Sequence, residues 1–425
     1  YMNSLLQQLF AMPRLRRDLL TAPEPPEKVK SGRFGEQVLK LRDEVQRTFA
    51  NLASSQRKAY DPAKFVLACA NEPSGFFPLD SPVHQQNDAH EFFNLLLDRL
   101  GMAFPDPEAA KKAAEEGAGA GGEEGSGSAM GTPDLLQRTI GGRLLHQLKG
   151  LDDSCPHTSQ RPEPFLCVSV DIKGHSTLQE SLAGFVRADL LEGENAYNCS
   201  QCDKKVNTLK RCCFDAESMP PTLVLHLKRF DISYETFEKY KINDRLEFPD
   251  TLDMAPYTLQ GIESAEAEDA EDKEGDAASS SASAAGGDAP LAGCKYVLRG
   301  VLVHAGTANY GHYYSFIQTR RENGESGGWC KFDDDVVSEF DVSKLGTETY
   351  GGGASLAGGR GGRRSRRLQS DRNAFMLFYD KVDTTAGAAA DNPALDADSA
   401  ASMPPARADL IRASSGASSG ASVGE

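Results

Sequence analysis

The stretch YGHYYSFIQTRRENGESGGWCKFDDDVVSEFD, Tyr310–Asp341, contains the pattern that best indicates the fold. Its aromatic and β-branched residues predict a strand that begins near His312, and a Gly-rich turn leads to a second strand that ends in three aspartates. In such a hairpin His312 and Asp333 lie close enough for the carboxylate to hold the imidazole. The spacing predicts two members of a catalytic triad. A strand-end histidine beside a solvated acidic turn is the structural alternative.

Apolar and β-branched runs predict the other strands, at 164–172, 222–230, 296–304, 313–319 and 374–380. Helices precede them. An apolar stripe marks a helix over 35–52, formed by Val38, Leu41, Val45, Phe49 and Leu52. A second helix has Asp61 as its cap, a third covers 87–100, and a short one begins with the capping box Thr177 and Glu180. Helices first and strands later predict an α+β fold.

Low-complexity segments interrupt this pattern at 106–133, 263–293 and 350–367, and an Ala/Ser/Gly/Pro-rich tail covers 383–425. Such compositions bury too little apolar surface to fold, so we expect the three insertions and the tail to be disordered. Ordered patterns resume after each insertion, which predicts a single domain over 1–382.

The charge of the chain limits its partners. Its 46 Lys and Arg residues against 62 Asp and Glu residues give a net charge of −16, and half of that charge lies in 263–293. An acidic protein suits a basic protein partner better than nucleic acid or anionic lipid. The basic run 360–367 is expected to be a flexible loop, and no apolar run approaches the roughly 20 residues that cross a bilayer.

The cysteines indicate a reducing compartment, because nine unevenly spaced cysteines do not resemble a disulfide framework. Cys69, Cys167, Cys212, Cys213 and Cys330 lie in apolar contexts and are expected to be inert core thiols. His226 and His304, which alternate with apolar residues in strands, are expected to be core histidines.

Five motifs occur in a recognisable order. They are QQNDAHEFF (85–93), ENAYNCSQCDKK (194–205), LVLHLKRF (223–230), the His–Asp hairpin and NAFMLFY (373–379). With these motifs the sequence resembles the ubiquitin-specific proteases, a papain-like family of cysteine deubiquitinases. The resemblance covers residues 1 to about 382 apart from the insertions. It implies a helical thumb over 1–140, and an antiparallel β palm and zinc-ribbon fingers over 141–382.

The resemblance also bears on the first helix. In this family the nucleophile lies in a box that reads asparagine, threonine, cysteine, tyrosine, methionine, asparagine, serine, and YMNSLLQQLF (1–10) begins one residue after that cysteine. Asn3 or Ser4 suits the start of a helix. We therefore expect the nucleophile to precede Tyr1, and the chain as given to be inactive without it.

The implied activity is hydrolysis of the peptide or isopeptide bond after the C-terminal glycine of ubiquitin. His312 would serve as general base and acid and Asp333 as its orienting carboxylate. Asp334 either assists in the oxyanion pocket or is an exposed turn residue. Asp88 and Glu91 would lie along the cleft for the ubiquitin tail, where carboxylates can bind its arginines.

The resemblance implies half of a zinc ribbon at Cys199 and Cys202, with Cys155 in the other half. Asp152 occupies the position of the fourth cysteine, and either Asp152 or His157 can complete the site, because zinc accepts carboxylate and imidazole. A ribbon that has lost its metal is the alternative.

Two other functions remain open at this stage. A noncatalytic ubiquitin-binding module would have lost the cysteine and kept the grip on ubiquitin. A zinc-ribbon protein that binds nucleic acid through 360–367 is disfavoured by the net charge. For the leading hypothesis the partners are ubiquitin and ubiquitinated proteins, and the expected location is the cytoplasm, with the nucleus as a second site.

Overall fold

The computed structural model describes residues 1–25, 27–55, 59–70, 87–105, 135–152, 155–274, 294–320, 326–352 and 371–382. The chain forms two compact units. Unit 1 comprises the described residues of Tyr1–Thr139 and Ile317–Phe340, and unit 2 those of Ile140–Phe316 and Asp341–Gly387. The division of the chain at residue 140 stays a prediction, because unit 1 also takes in a segment from late in the sequence.

Unit 1 is mainly helical. Its helices are α1 (Met2–Ala11), α2 (Pro13–Thr21), α3 (Glu27–Lys30), α4 (Gly35–Ser54), α5 (Ala63–Cys69), α6 (Ala89–Ala103) and α7 (Leu135–Thr139). The stripe predicted for α4 is buried from Val38 to Phe49, and its last member, Leu52, is half-buried. Phe92 and Phe93 of α6 are fully buried, and α6 packs against α1 and α4. The predicted helices at 35–52 and 87–100 are thus confirmed.

Unit 1 also contains strands. Strand β13 (Gly311–Arg320) enters unit 1 at Ile317 and is followed by β14 (Ser326–Asp333) and β15 (Val336–Phe340). β14 and β15 are antiparallel, with Asp333 opposite Val336. Helix α1 packs against β14, which brings the first helix of the chain to this hairpin.

Unit 2 holds most of the strands. They are β1 (Gly142–Gly150), β2 (Thr158–Phe165), β3 (Val168–Asp171), β4 (Asp189–Leu191), β5 (Tyr197–Cys199), β6 (Lys204–Val206), β7 (Thr208–Phe214), β8 (Thr222–Lys228), β9 (Phe230–Ile232), β10 (Lys239–Lys241), β11 (Thr251–Asp253), β12 (Lys295–Gly306), the first part of β13, and β16 (Arg372–Lys381). Its helices are α8 (Leu178–Val186), α9 (Leu259–Glu274) and α10 (Leu345–Thr349).

These strands form two main sheets in unit 2. One has the order β2-β1-β7-β4, and the other has the order β13-β12-β16-β8-β3, with β11 paired to β12. β3 and β8 pair in parallel. The pairs β1–β7, β12–β16 and β16–β8 are antiparallel. Residues from β8, β12 and β16 form the core of this unit, and among them Leu225, Val301 and Leu377 are fully buried.

The predicted strands at 222–230, 296–304, 313–319 and 374–380 are confirmed to within two residues at each end. The strand predicted over 164–172 is wrong as a single element, because the chain leaves β2 at Phe165 and begins β3 at Val168. The predicted cap of α8 is confirmed, since Thr177 Oγ1 accepts a hydrogen bond from the Glu180 amide at 3.2 Å, whereas the Glu180 carboxylate accepts from the amide of Ser176, one residue before the cap, at 2.7 Å.

The prediction of disorder for 263–293 is wrong over its first part, because α9 extends to Glu274. Polar contacts hold this helix against the β1–β7 face of the four-stranded sheet. Gln147 Nε2 donates to Glu263 at 2.9 Å, and Arg211 forms an ion pair with Glu266 at 2.6 Å. The remainder of this insertion, most of the other two and the tail at 383–425 lie outside the described residues.

Within the part of the chain that the structure describes, no helix is both long enough and apolar enough to cross a membrane.

Candidate active site and metal site

The start of α1 is held by aromatic and polar contacts inside unit 1. Tyr1 is the residue before the helix, and its hydroxyl accepts a hydrogen bond from Asn87 Nδ2 at 3.1 Å. The Tyr1 ring meets Phe92 edge-on, with 5.4 Å between ring centroids. The helix begins at Met2, so Ser4 lies buried inside it rather than capping it. These contacts fix the amino end of α1 against the amino end of α6.

Asp88 and Glu91, the residues expected to meet the ubiquitin tail, lie at the start of α6. Asp88 is the N-cap residue of the helix, and its Oδ1 accepts hydrogen bonds from the amides of His90 at 2.7 Å and Glu91 at 3.1 Å. Its carboxylate thus satisfies two helix-end donors. The Glu91 side chain is exposed on the first turn and is available to a cationic ligand.

Asp333 and Asp334 stand where β14 ends. The Lys331 ammonium donates to Asp333 Oδ2 at 2.6 Å. Asp334 has φ +53°, in the left-handed region that few residues other than glycine adopt, and aspartate is among those that tolerate it. Helix α1 packs against β14, so unit 1 places the strand that leads into this acidic turn beside the first helix.

His312 lies near the start of β13, in unit 2, and its surroundings are tightly built. The preceding Gly311 leaves no room for a side chain, because a Cβ would stand 2.0 Å from His304 Nε2. His304 is 3% exposed, and its ring contacts those of Phe230 and Tyr313 at centroid distances of 5.1 and 4.7 Å. Burial lowers the pKa of His304 to about 3. The prediction that His304 is a core histidine is confirmed.

A half-buried lysine fixes the strand end beside His312. Lys241 Nζ donates to the carbonyls of His304 at 2.9 Å, Gly306 at 3.2 Å and Asp371 at 2.6 Å. Burial lowers the pKa of Lys241 to about 7. The sequence alone does not single out Lys241, because a lysine within a polar segment is not part of any hydrophobic periodicity.

The predicted triad members belong to different units, His312 to unit 2 and Asp333 and Asp334 to unit 1. Their pairing stays a prediction.

The thiols expected to be inert lie in environments that suppress ionisation. Burial raises the pKa of the thiols of Cys69, Cys167, Cys212, Cys213 and Cys330. A thiol of raised pKa carries little thiolate at neutral pH and is a poor nucleophile.

A second cluster of functional groups lies within unit 2, between the segment after β1 and the β5–β6 hairpin. It contains Cys155, His157, Cys199 and Cys202, whose donor atoms all lie within 4.8 Å of one another. His157 Nδ1 is 3.5 Å from the sulfur of Cys155, 3.6 Å from that of Cys199 and 3.2 Å from that of Cys202.

The electrostatics of this cluster favour a thiolate. Backbone amides of Cys202 and Gln201 point at the Cys199 sulfur and lower its pKa to about 6. Three sulfurs and one imidazole nitrogen form a donor set that fits Zn²⁺ in tetrahedral geometry. Cys155 and Cys199 are buried with Val206, so the site is also packed like a small core.

The fourth member of this cluster is His157 and not Asp152. The Asp152 carboxylate instead accepts a hydrogen bond from the Asn207 amide at 3.4 Å, and its carbonyl accepts one from the Cys155 amide at 2.8 Å. Asp152 thus shapes the turn before Cys155, while the chain continues into β2 with the ring of His157 turned toward the three sulfurs. Of the two residues that the sequence leaves open, the structure brings His157 to the three sulfurs.

Comparisons with known proteins agree with this picture. The family model described as ubiquitin carboxyl-terminal hydrolase matches residues 1–379. The probable ubiquitin carboxyl-terminal hydrolase FAF of Drosophila melanogaster is 33% identical over 436 residues, covering 91% of this chain and 14% of that protein. Ubiquitin carboxyl-terminal hydrolase 9X of Mus musculus is 33% identical, covering 90% and 15% respectively. Ubiquitin carboxyl-terminal hydrolase 24 of Homo sapiens is 31% identical, covering 90% and 13%. The chain thus spans about one seventh of the length of these relatives.

Proposed function

The chain belongs to the ubiquitin carboxyl-terminal hydrolase family, and from this premise we propose that it is the catalytic domain of a thiol-dependent deubiquitinase. The proposed reaction is hydrolysis of the peptide or isopeptide bond after the C-terminal glycine of ubiquitin. Ubiquitin and ubiquitinated proteins are the proposed partners. The helices of unit 1 form the proposed thumb, and the two main sheets of unit 2 the proposed palm and fingers. The proposed location is the cytoplasm, with the nucleus as a second site.

The nucleophile in this proposal is a cysteine of the family motif, in the position immediately before Tyr1. Helix α1 begins at Met2, so the positive end of its dipole acts at that position. A thiol there has a lowered pKa, and an imidazolium at His312 lowers it further. The thiolate attacks the carbonyl carbon of the ubiquitin glycine, and the carbon–sulfur bond that forms yields an acyl-enzyme.

His312 moves the protons in this reaction. It takes the thiol proton, passes it to the departing lysine amine, and later accepts a proton from the water that cleaves the thioester. Asp333 is the proposed orienting carboxylate, which fixes the imidazole tautomer and stabilises the imidazolium.

Asp334 has a different proposed role, in the oxyanion pocket. An ionised carboxylate only accepts hydrogen bonds, so it does not stabilise an oxyanion directly. It acts by holding a water molecule or an amide whose other hydrogen points at the oxyanion. Asp334 follows β14, the strand that packs against α1.

For the ubiquitin tail, Glu91 is the stronger of the two candidate contacts, because Asp88 already serves as the cap of α6. An exposed glutamate on the first helical turn suits an arginine of the tail.

The proposed metal is a structural Zn²⁺ held by Cys155, His157, Cys199 and Cys202. A bound zinc ion would cross-link the segment after β1 to the β5–β6 hairpin and so stabilise this end of unit 2.

One observation carries the catalytic proposal. Within unit 1, α1 packs against β14, the strand that ends at Asp333, so the strand that carries the acidic turn lies beside the helix that follows the proposed nucleophile. A core role alone would not require carboxylates at this spot.

The test uses the full-length protein and a ubiquitin whose C-terminus bears a thiol-reactive group. We expect a covalent adduct on the residue before Tyr1, and turnover of a ubiquitin amide that falls by at least about 10³-fold in His312→Ala and Asp333→Asn. Ubiquitin affinity and thermal stability should remain at the wild-type level in both variants. Ubiquitin binding without adduct or turnover would overturn the enzyme and leave the noncatalytic ubiquitin-binding module.

A further inference from the structure

The strand that follows the acidic turn of unit 1 forms an open edge of its sheet. Among the described strands, β15 pairs with β14 alone and stands last in the strand order. Every residue of β15 except Phe340 is exposed, and Val336 and Val337 are 59% and 55% exposed. The backbone of an edge strand is a template for pairing with another extended chain.

The hairpin register shows which backbone groups of β15 face outward. The two-residue turn 334–335 joins β14 to β15 and leaves Asp333 opposite Val336. A two-residue turn closes on a hydrogen-bonded pair, and such pairs then recur at every second position of the ladder. Val336 and every second residue after it therefore bond to β14, whereas Val337 and Glu339 direct their N–H and C=O groups away from it. No other described strand or loop pairs with these two residues.

This edge lacks the features that usually prevent strands from pairing. Natural edge strands are blunted by prolines, lysines, bulges or covering elements. β15 reads VVSEF, contains neither proline nor lysine, and keeps a regular register with β14 along its whole length. Its one charged residue, Glu339, repels acidic strands and admits basic ones.

The charges around this edge select a basic partner. Residues 331–341 contain five acids and one lysine, and that lysine is already ion-paired within β14 at 2.6 Å. Asp335 and Glu339 are exposed. A second copy of the chain is disfavoured, because antiparallel self-pairing about Ser338 would bring Asp335 and Asp341 of the two copies opposite each other.

We propose that β15 binds an extended basic segment of the ubiquitinated protein, which adds to the sheet as a further strand. Side chains alternate along a strand, so the segment has a basic residue opposite Glu339, an apolar residue opposite Val337 and a second basic residue near Asp335. The expected pattern is basic-x-apolar-x-basic. Main-chain hydrogen bonds supply affinity, and the alternate side chains supply specificity.

The choice of the ubiquitinated protein as partner rests on the proposed function. β15 begins three residues after Asp333, the proposed orienting carboxylate. A strand added to β15 lies two strand spacings, about 10 Å, from β14. A protein whose ubiquitinated lysine is held at the proposed site is therefore close enough to reach this edge.

The first test is binding of a labelled peptide with the core KTVTK to the full-length protein, followed by fluorescence anisotropy. A peptide of the same composition in the order KKVTT breaks the period of two, and we expect it to bind at least about tenfold more weakly. Equal binding of the two peptides would overturn strand addition. Displacement of the KTVTK peptide by ubiquitin would assign the edge to ubiquitin and would also overturn the proposal.

Two variants of β15 test the edge itself. Val337→Pro removes an outward N–H but no bond to β14, and Glu339→Lys reverses the charge that faces the basic residue. Each should weaken binding of the KTVTK peptide at least about fivefold, with wild-type thermal stability and wild-type turnover of a ubiquitin amide. Val336→Thr, whose side chain lies on the other face of the sheet, is the matched control and should bind like the wild type. Wild-type binding in both Val337→Pro and Glu339→Lys would refute the proposal.

A ubiquitin conjugate on a lysine beside the core KTVTK tests the identity of the partner. Its KM should be at least about fivefold lower than that of the KKVTT conjugate, with equal kcat. Equal KM values despite selective peptide binding would mean that the edge serves a partner other than the ubiquitinated protein. A wild type that cleaves a ubiquitin amide but does not bind the KTVTK peptide would keep the proposed function and refute this inference alone.

Discussion

The Arg211 guanidinium donates two hydrogen bonds to the Glu266 carboxylate, from Nη1 at 2.6 Å and from Nη2 at 3.2 Å. Its Nε donates to Gln147 Oε1 at 2.8 Å, and the arginine side chain is only 2% exposed. This bidentate pair joins helix α9, at the start of an acidic insertion, to strand β7. It accounts for the order of a segment whose composition alone predicts disorder.

We predict that Arg211→Ala destabilises unit 2 by about 1–3 kcal/mol, because it leaves the buried oxygen of Gln147 without its donor and removes the partner of Glu266. Urea unfolding followed by circular dichroism measures this loss. Arg211→Lys keeps the charge but not the two parallel bonds and should recover only part of the stability.

The stability that Glu266 contributes through this pair should depend on pH. The hydrogen bond from Arg211 lowers the pKa of Glu266 in the folded state, so this stabilisation is present above the ordinary glutamate pKa and is lost as pH falls through the lowered value. Glu266→Gln should therefore be less stable than the wild type at pH 7, by at most about 1 kcal/mol since the carboxylate is half-exposed. The difference should vanish in acid, and a constant difference at all pH values would contradict this account.

These contacts show where sequence reasoning succeeds and where it fails for the fold. The apolar stripe of α4 and the β-branched runs of β12 and β16 predict their own elements, because periodicity reports burial on a single face. Strand β2 was missed because its residues, TSQRPEPF, are exposed except for the last and include two prolines. Helix α9 was missed because its polar residues are ordered by contacts to β1 and β7, which local composition does not contain.

The metal site yields a paired prediction. His157→Ala should lower zinc affinity at the Cys199 cluster by more than about tenfold, since even residues that only support metal ligands contribute 10–100-fold. Competition with a chromophoric chelator measures the affinity. Asp152→Ala is the matched control, because Asp152 lies outside the cluster and bonds to Asn207 instead.

If Asp152→Ala lost as much zinc as His157→Ala, the assignment of His157 as the fourth ligand would be wrong. Chelation of the wild type should also lower the thermal midpoint, whereas a metal-free ribbon held by packing would not respond.

At the start of α6, variants of Asp88 and Glu91 separate an effect on stability from an effect on ubiquitin binding. Asp88→Ala should cost about 1 kcal/mol, because two amides at the helix start lose their acceptor, whereas Asp88→Asn keeps that acceptor and should cost only a few tenths. Glu91→Gln should leave stability unchanged and weaken ubiquitin binding by up to about fivefold, as expected for an exposed ion pair. Thermal unfolding measures the effect on stability, and ubiquitin titration measures the effect on binding. Weaker ubiquitin binding by Asp88→Asn would show that the Asp88 carboxylate also contacts the ubiquitin tail.

Asp334 offers a similar separation, because its left-handed backbone and its charge can be changed independently. Asp334→Asn tolerates φ +53° and removes the charge, whereas Asp334→Val keeps neither property and should cost about 1–2 kcal/mol. If Asp334 supports the oxyanion pocket, the asparagine variant should lose roughly tenfold or more in kcat with KM and stability unchanged. Wild-type turnover in that variant would assign Asp334 to the turn alone.

Only part of the candidate site can be predicted from the sequence, and the reason is physical. Cys199 and Cys202 form a local motif that a sequence displays directly, and Asp333 and Asp334 end a readable strand. The choice between Asp152 and His157 depends on which side chain the turn after β1 directs at the sulfurs, and the support of His312 by Lys241 and His304 depends on contacts across 60 to 70 residues of chain. Neither is encoded by spacing.

The packing of His304 against the backbone next to His312 gives a final prediction, at Gly311. A methyl group there would stand 2.0 Å from His304 Nε2 and 2.7 Å from the Ala305 carbonyl, and the His304 ring cannot retreat because Phe230 and Tyr313 pack against it. Gly311→Ala must therefore shift the backbone next to His312. Displacement of a catalytic group by about 1 Å can cost 10²-fold, so we expect kcat for a ubiquitin amide to fall 10- to 100-fold while ubiquitin affinity is retained. Gly328→Ala, where a Cβ meets nothing within 4 Å, is the matched control and should retain full turnover. Activity within twofold of the wild type in Gly311→Ala would mean that His304 does not position His312.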